Sequence, residues 1–170
     1  MIQMNWTERT FSFDFPVGVF PGIVERLRGT PARMGELVRG IPYSKLIRRD
    51  GERWSVNEHI GHLIDLDDLD HVRLNEYMAG AATLSAADMT NRKTNEARYN
   101  DVATGTLIDY LRERRLDLVT RLEMLSDDLI ARAALHPRLQ QSLRLVDWIY
   151  FVAEHDDHHL ARIREILRKT

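Results

Sequence analysis

The stretch Trp148-Ile-Tyr-Phe-Val-Ala-Glu-His-Asp-Asp-His-His-Leu-Ala-Arg162 decides the fold of this chain. Its apolar residues continue a pattern of threes and fours that runs from Leu145 to Leu167 without Pro or Gly. That period predicts one long helix with a single buried face. The helix carries three of the chain's seven histidines, and it is therefore a candidate metal-binding element: these are His155, His158 and His159.

A helical wheel separates these histidines. At ~100° per residue, His155 and His159 flank the buried face together, whereas His158 points outward. Two imidazoles one turn apart can hold one metal ion, as in the zinc-protease motif His-Glu-x-x-His, although Asp156 stands in the Glu position here. Asp156 faces inward, so we expect it to orient a ligand histidine or to pair with an arginine. After His159 only Glu165 could complete the site, so a third ligand is expected upstream. The alternative is an amphipathic helix with surface histidines.

A second long helix is predicted upstream. Ser55 and Glu58 form a Ser-x-x-Glu capping box, and apolar residues recur from there to Gly80, which ends the helix. This helix carries His59 and His62, and periodicity alone slightly favours His59 as the inward one. Either histidine could instead be satisfied by one of the neighbouring carboxylates.

Length and composition bound the class of protein. At 170 residues, with 44% hydrophobic and 29% charged residues, the chain is expected to form one soluble globular domain, 1–170. A formal charge of −2 gives no reason to expect nucleic acid as a partner, and no apolar run could span a membrane. Met1–Thr10 contains no secretory signal, so we expect a cytoplasmic protein. The absence of cysteine excludes disulfides, thiolate metal ligands and a Cys nucleophile.

Further helices are predicted on either side of the first capping box. Pro21–Arg28 and Thr30–Gly40 are predicted as two short helices that together form one layer. A third long helix is predicted to start near Thr106, with Asp109 in a second capping box. Its charged run, Arg112–Asp117, is interpreted as a solvated, ion-paired face.

The segments outside these helices carry weaker signals. Phe11, Phe13 and Phe15 alternate, which predicts an extended arm that packs its rings on the body. Residues 81–103 form a long connection without a stable period, and connections of this length often shape the entrance to a pocket.

The segment before the last helix completes the architecture. Asp127–Ala134 is expected to add a helical turn or two, and Ser142 is expected to cap the last helix. His136 could reach the site, but it is interpreted as an isolated loop histidine before a proline. No strand is predicted. The chain should therefore be all-α, a four-helix bundle with one long crossover, and such bundles build metal sites from residues on facing helices.

Three segments carry a resemblance to a known family. They are Arg26-Leu-Arg-Gly-Thr-Pro-Ala-Arg33, Trp54-Ser-Val-Asn-Glu-His-Ile-Gly-His-Leu-Ile-Asp65 and Asp147-Trp-Ile-Tyr-Phe-Val-Ala-Glu-His-Asp-Asp-His-His-Leu-Ala161. In their order and in the spacing of their histidines they resemble the DinB/YfiT-like superfamily. The resemblance implies an up-down-down-up four-helix bundle, often a dimer, with a divalent metal held by three histidines.

The family pattern, carried over residue by residue, implies the ligands His62, His155 and His159. It overrules the preference for His59, which becomes a neighbour of the site, and Arg73 matches a basic position in the pattern. The candidates for the surrounding pocket are therefore His59, Asp156, His158 and Arg73.

The resemblance also implies an activity. Family members of known activity are similar to S-transferases that use bacillithiol or mycothiol, and relatives act as thiol-dependent isomerases or have been labelled hydrolases. This implies a Zn²⁺ or Ni²⁺ enzyme that activates a low-molecular-weight thiol for attack on an electrophilic small molecule. The thiol must be a cosubstrate, because the chain has no cysteine. Two alternatives stay open: a metal-dependent hydrolase that activates water, and a non-catalytic stress or binding protein.

Overall fold

Four long helices dominate the structure, a computed structural model that describes residues 4–169. In chain order the helices are α1 (Phe20–Val38), α2 (Tyr43–Leu46), α3 (Val56–Ala79), α4 (Arg92–Glu96), α5 (Thr104–Glu123), α6 (Asp127–Ile130) and α7 (Leu145–Lys169). The strands β1 (Ala133–His136) and β2 (Gln141–Arg144) form an antiparallel hairpin, and short 3-10 turns lie at Trp6–Glu8, Val17–Val19 and Tyr99–Asp101. The predicted four-helix bundle is confirmed by α1, α3, α5 and α7. The parts of the predictions that concern residues 1–3 and 170 lie outside the described residues.

The two middle helices of the bundle run parallel. Asp68 pairs with Arg114 near their middle, and Asn75 accepts a hydrogen bond from Arg121 further along both helices. Parallel neighbours need a long return connection, and residues 80–103 supply it.

The first and last helices run opposite to the middle pair. On α7, His159 meets His59 of α3, while Trp148, at the other end, stacks on Tyr77. α1 packs antiparallel to α5 and parallel to α7. The course is therefore up-down-down-up, which brings α3 and α7 together as facing helices.

α3 begins and ends as predicted. The Ser55 hydroxyl accepts from the Glu58 backbone N–H, and the Glu58 carboxylate accepts from the Ser55 N–H at 2.8 Å, which completes the capping box. Gly80 ends the helix with a φ of 74°, in the left-handed region. The box sets the rotation of the first turns and thereby the direction of His59 and His62.

α1 is one continuous helix, so the prediction of two short helices, Pro21–Arg28 and Thr30–Gly40, is wrong. Pro31 lies inside it without an N–H to donate, which removes one helical hydrogen bond. Burial offsets that loss, because Leu27 and Met34 on either side of the proline are fully buried. Tertiary packing thus overrides the local signal for a break.

α5 begins at Thr104, near the predicted start at Thr106, but the second capping box with Asp109 does not form. The Thr104 hydroxyl donates instead to Asn57 Oδ1 of α3, at 2.7 Å. A tertiary hydrogen bond therefore holds this helix end. The connection 80–103 is only partly irregular, because it contains α4 and a 3-10 turn.

The segment before α7 departs most from the prediction. The helical turn expected within Asp127–Ala134 is present as α6, which ends at Ile130. The expectation that the chain has no strands is wrong, because β1 and β2 follow. Ser142 pairs with Leu135 across the hairpin and does not cap α7. The cap is supplied by Asp147, whose carboxylate accepts the Arg144 backbone N–H at 2.8 Å. The hairpin turn contains Gln140 with a φ of 52°.

The N-terminal arm, residues 5–16, packs its aromatic rings on α7, as predicted. Phe11 lies 5.1 Å from Phe151 between ring centroids, and Phe13 and Phe15 lie 6.3 and 5.0 Å from Tyr150. The arm therefore covers the side of α7 that leads to its histidines.

A buried polar layer divides the core of the bundle. One apolar cluster contains Leu27, Leu74, Leu118 and Trp148, and the other contains Met34, Ile60, Leu111 and Ile163. In the space between the two clusters, each long helix contributes buried polar side chains: Thr30 from α1, Asp67 and Asp70 from α3, Arg115 from α5 and Asp156 from α7. None of the described helices has an apolar stretch long enough to cross a membrane.

Candidate metal centre

Three histidines from the facing helices α3 and α7 converge beside the polar layer. His62 lies on α3, and His155 and His159 lie one turn apart on α7. One ring nitrogen from each falls within 4.8 Å of the other two, and the Nε2 atoms of His155 and His159 are 3.1 Å apart. The structure thus brings together the three residues that the family resemblance singled out.

All three rings are electrically neutral near pH 7. Burial lowers the pKa of His62 to about 4. Burial, and then the neighbouring histidines, lower the pKa values of His155 and His159 well below the usual value. A neutral imidazole keeps one lone pair for a metal, so no proton has to be displaced before binding.

A hydrogen-bond chain sets the tautomer of His62. Its Nδ1 lies 3.1 Å from the Thr94 hydroxyl, which donates to Asp65 Oδ2 at 2.8 Å. Since the hydroxyl proton is committed to the carboxylate, the hydroxyl oxygen accepts from Nδ1–H of His62. Nε2 of His62 therefore carries the lone pair, and Tyr99, which donates to Asp65 Oδ1 at 2.7 Å, holds the chain in place.

His59 orients His159 from behind. Their Nδ1 atoms are 2.8 Å apart, so one of the two donates a proton to the other. When His159 presents Nε2 to the site, its Nδ1–H donates to His59. Sequence periodicity favoured His59 as the inward histidine of α3; in the structure both histidines face α7, and His59 is the half-buried neighbour.

His158 was predicted to point outward, and this prediction is wrong. The side chain is only 8% exposed, because Trp6 of the N-terminal arm covers it at 5.7 Å between ring centroids. Burial lowers the pKa of His158 to about 4. Trp6 also packs edge-on against His155 at 4.8 Å, so the arm forms one wall of the site.

Asp156 takes one of its two expected roles, the pairing with an arginine. Its carboxylate lies 3.1 Å from Arg115 Nη2 and accepts from the Thr30 hydroxyl at 2.7 Å. Burial raises the pKa of Asp156 to about 6 and that of Asp70 to about 7. The positive charge of Arg115 lowers both pKa values, but by less than burial raises them.

Arg115 corrects the interpretation of the charged run on α5. The guanidinium is 2% exposed and also lies 3.3 Å from Asp67 and 3.9 Å from Asp70. The signal was present in the sequence, because position 115 continues the leucine stripe through Leu111 and Leu118. An arginine on that stripe must lie in the core with carboxylate partners.

A cavity of about 290 Å³ opens over the histidines. Its walls near them are the rings of Trp6, Trp54 and Phe151. Trp54 packs on His62 at 4.7 Å between centroids and donates its Nε1–H to Asn95 of the long connection. A floor of ring nitrogens under apolar walls can orient a small organic molecule above the three histidines.

The far end of the cavity is basic: Arg73 was a pocket candidate from the sequence, whereas Arg138 was missed. Arg73 is 4% exposed and donates twice to the Ser85 carbonyl. His136, interpreted as a loop histidine, is 2% exposed at the end of β1, and Arg138 follows in the hairpin turn. No local pattern marks these two residues, because the α3 and α7 residues that complete this end are distant in sequence.

Comparisons with known proteins agree with this arrangement of helices. A sequence model of the DinB superfamily matches residues 26–163 of the chain. The uncharacterized protein YuaE of Bacillus subtilis (strain 168) is 26% identical over 145 residues, which cover 78% of this chain and 89% of YuaE. The structure of YfiT from Bacillus subtilis, described as a probable metal-dependent hydrolase with an unusual four-helix bundle topology, superposes with a TM-score of 0.80 at 21% identity over 95% of this chain and 93% of YfiT. At that identity the likeness shows the shared fold.

Proposed function

This chain belongs to the DinB superfamily, and on that premise we propose that it is a metal-dependent enzyme whose divalent cation is held by His62, His155 and His159. One observation carries the proposal: three neutral ring nitrogens, within 4.8 Å of one another, form the floor of a cavity. A structural metal would be enclosed by four protein ligands, whereas three ligands leave one position for a substrate.

The donor set fits a divalent transition metal. Three imidazoles suit Zn²⁺ and Ni²⁺. Because none of the three ligands is a thiolate or a carboxylate, a bound cation would keep its full positive charge. Thr94 and His59 supply the outer hydrogen bonds that metal-ligating histidines almost always make. A cation bound here would act as a Lewis acid that favours the deprotonated form of an incoming nucleophile.

We propose that the nucleophile is a low-molecular-weight thiol. Thiols ionise near pH 8–9, so they need little help from a general base. The acidic residues of the cavity are poorly suited as bases at the histidines. Asp156 is held by Thr30 and Arg115, Asp88 accepts from the Thr90 hydroxyl and the Arg92 backbone N–H, and Asp70 lies eight residues beyond His62, ~12 Å along α3. The chain has no cysteine of its own, so the thiol must be a cosubstrate.

The substrate would be an electrophilic small molecule held against the rings of Trp6, Trp54 and Phe151. In the transfer a C–S bond forms, the leaving group departs with the bonding electron pair, and the thiol proton is released to solvent. A homodimer and a cytoplasmic location, both expected from the sequence, stay predictions.

The second candidate is a hydrolase that uses water in place of the thiol. The observation in its favour is the shared fold with YfiT, which is described as a probable metal-dependent hydrolase. It predicts turnover without any added thiol. The thiol transferase predicts that turnover of an electrophile requires thiol and consumes it in equal amount.

The first test is metal content. Wild-type protein should hold one equivalent of Zn²⁺ or Ni²⁺, and His62→Ala, His155→Ala and His159→Ala should each lose it. His71→Ala is the matched control, because His71 lies on α3 beside Asp117 of α5 and outside the cavity. Substoichiometric metal in the wild type after incubation with excess metal and removal of the unbound ion would refute the proposal.

The second test identifies the nucleophile. Titration of the Co²⁺-substituted protein with a thiol should shift the visible absorption of cobalt, since sulfur enters its coordination sphere. An unchanged spectrum, together with thiol-independent ester hydrolysis, would reject the transferase in favour of the hydrolase.

A further inference from the structure

The hairpin end of the cavity has hydrogen-bond donors without acceptors. His136 Nδ1 accepts from the Leu139 backbone N–H at 3.3 Å, so the ring proton of the neutral imidazole lies on Nε2. Nε2 is buried and has no acceptor among residues 4–169. Buried donors are nearly always paired in native proteins, so this one marks a position where an acceptor is missing.

Arg138 lies at the same end. Its guanidinium stacks over the rings of Trp6 and Phe151, 5.5 and 5.2 Å from their centroids. Nη2 is enclosed without a hydrogen-bond partner, and the side chain forms no ion pair within the described part of the chain. An arginine packed against two rings without a carboxylate partner is poised for an anionic ligand.

The charges around these donors are cationic. Burial and then the positive charge of Arg73 lower the pKa values of both His136 and Arg138. Asp70 lines the same cavity, but its charge acts on Arg73 and Arg115 and does not raise the pKa of either hairpin residue. The hairpin end thus keeps a positive potential that an anion would neutralise.

The distance from the three histidines suits one small molecule. The His136 ring packs on Phe151 at 5.1 Å, and Phe151 precedes His155 by four residues on α7. Trp6 bridges the same interval, since it contacts both His155 and Arg138. The Trp6 ring thus lies 4.8 Å from the His155 ring and 5.5 Å from the Arg138 guanidinium, so one small molecule can reach from one end of the cavity to the other.

We propose that His136 and Arg138 form a carboxylate-binding subsite for the thiol or for the electrophile, with Arg73 adding positive charge; this rests on the proposed function of the three-histidine site. The carboxylate accepts from His136 Nε2–H and from Arg138 Nη2. Both donor atoms are enclosed, so a ligand can reach them only if a side chain moves. Arg138 is half-buried and can change its rotamer to admit the ligand, as is common on binding.

The first experiment compares two thiols on the Co²⁺-substituted protein: 4-mercaptobutyrate and the uncharged 4-mercaptobutan-1-ol, which are matched in length. The wild type should bind the carboxylate at least ~10-fold more tightly by the cobalt absorption. Arg138→Met, which keeps contact with the rings, and His136→Asn, which keeps the acceptor for Leu139, should abolish that preference without changing the affinity for the alcohol. Arg98→Met removes an exposed arginine outside the cavity and should keep the preference.

The second experiment needs neither metal nor thiol. Butyrate is titrated into the metal-free His62→Ala protein, and the imidazole ¹⁵N signals are followed, with His136→Asn used to assign His136. Saturable shifts of the His136 Nε2 signal, lost in Arg138→Met, are expected.

The outcomes separate the two proposals. If neither thiol perturbs cobalt but butyrate shifts His136, the proposed function fails and the subsite stands. If both thiols bind equally and butyrate shifts nothing, the subsite is refuted while the three-histidine site stands.

Discussion

Gly61, the residue before His62, is the position where a single methyl group should do most damage near the site. A Cβ built at Gly61 would overlap Cγ, Cδ2 and Cε2 of Tyr99. Tyr99 has little room to move, because its hydroxyl donates to Asp65 at 2.7 Å and its backbone carbonyl accepts from the Asn57 side chain at 3.1 Å. Overpacking costs about 1–3 kcal/mol, and alanine returns ~1 kcal/mol over glycine in a helix. Since Cγ is bonded close to the backbone, we expect the upper end, a net loss of about 2 kcal/mol.

The assay is urea unfolding of metal-free protein, so that metal binding does not contribute to the measured free energy of unfolding. Gly35→Ala in α1 is the matched control, because its Cβ would lie 4.0 Å from Ile108, an ordinary contact. That change should stabilise the protein by about 0.5–1 kcal/mol. The two substitutions are chemically identical and should have opposite signs.

A double-mutant cycle with Tyr99→Ala completes the design. If the overlap with the ring is the cause, Gly61→Ala should become neutral or stabilising in the Tyr99→Ala background. Should Gly61→Ala stabilise the wild type as much as Gly35→Ala does, or stay equally destabilising after Tyr99 is removed, the reasoning is wrong.

Three further predictions follow from the hydrogen bonds and buried charges. Thr94→Val should weaken metal binding about 10–100-fold in competition with a chelator, because His62 Nδ1–H loses its acceptor, whereas Thr94→Ser should retain wild-type affinity. Arg115→Met should cost about 3–5 kcal/mol in urea unfolding, because it leaves three buried carboxylates without their counter-charge, and a loss below 1 kcal/mol would contradict this. Metal-free protein should lose stability from pH 7 to pH 5: burial lowers the pKa values of His62, His136 and His158 to about 4, so the unfolded chain takes up protons that the folded chain does not. Each of these histidines contributes ~2 kcal/mol to the loss, and together they outweigh the opposite contribution of Asp70, whose pKa is raised to about 7; His136→Asn should remove its own share of the pH dependence.

The parts of the fold that were predictable from sequence are those with local causes. The capping box of Ser55 and Glu58 and the glycine stop at Gly80 are decided within a few residues, and both are present. The amphipathic period of the last helix placed His155 and His159 side by side because α-helical geometry fixes which residues share a face. Choosing His62 over His59 needed the family pattern, since their positions on the wheel differ little.

The parts that were missed have distant causes. Pro31 lies inside α1 because packing on two other helices outweighs one lost hydrogen bond. His158 is buried by Trp6, which is far from it in sequence. The hairpin carries no Asn-Gly or Asp-Gly turn, and its reversal depends on Gln140 in a left-handed conformation, so no composition signal announced it. Arg115 differs, because its place on a leucine stripe could have revealed its burial.

The N-terminal arm has a consequence for how such proteins diversify. Its residues 5–16 form a wall over the histidines, yet they lie outside residues 26–163, the segment that the superfamily model matches. Substitutions in the arm can therefore reshape the cavity above the three histidines while the bundle that carries these histidines stays intact. Exchanging arms between relatives is thus a route to new substrate ranges in engineering, and it leaves the scaffold's folding energetics largely to the helices.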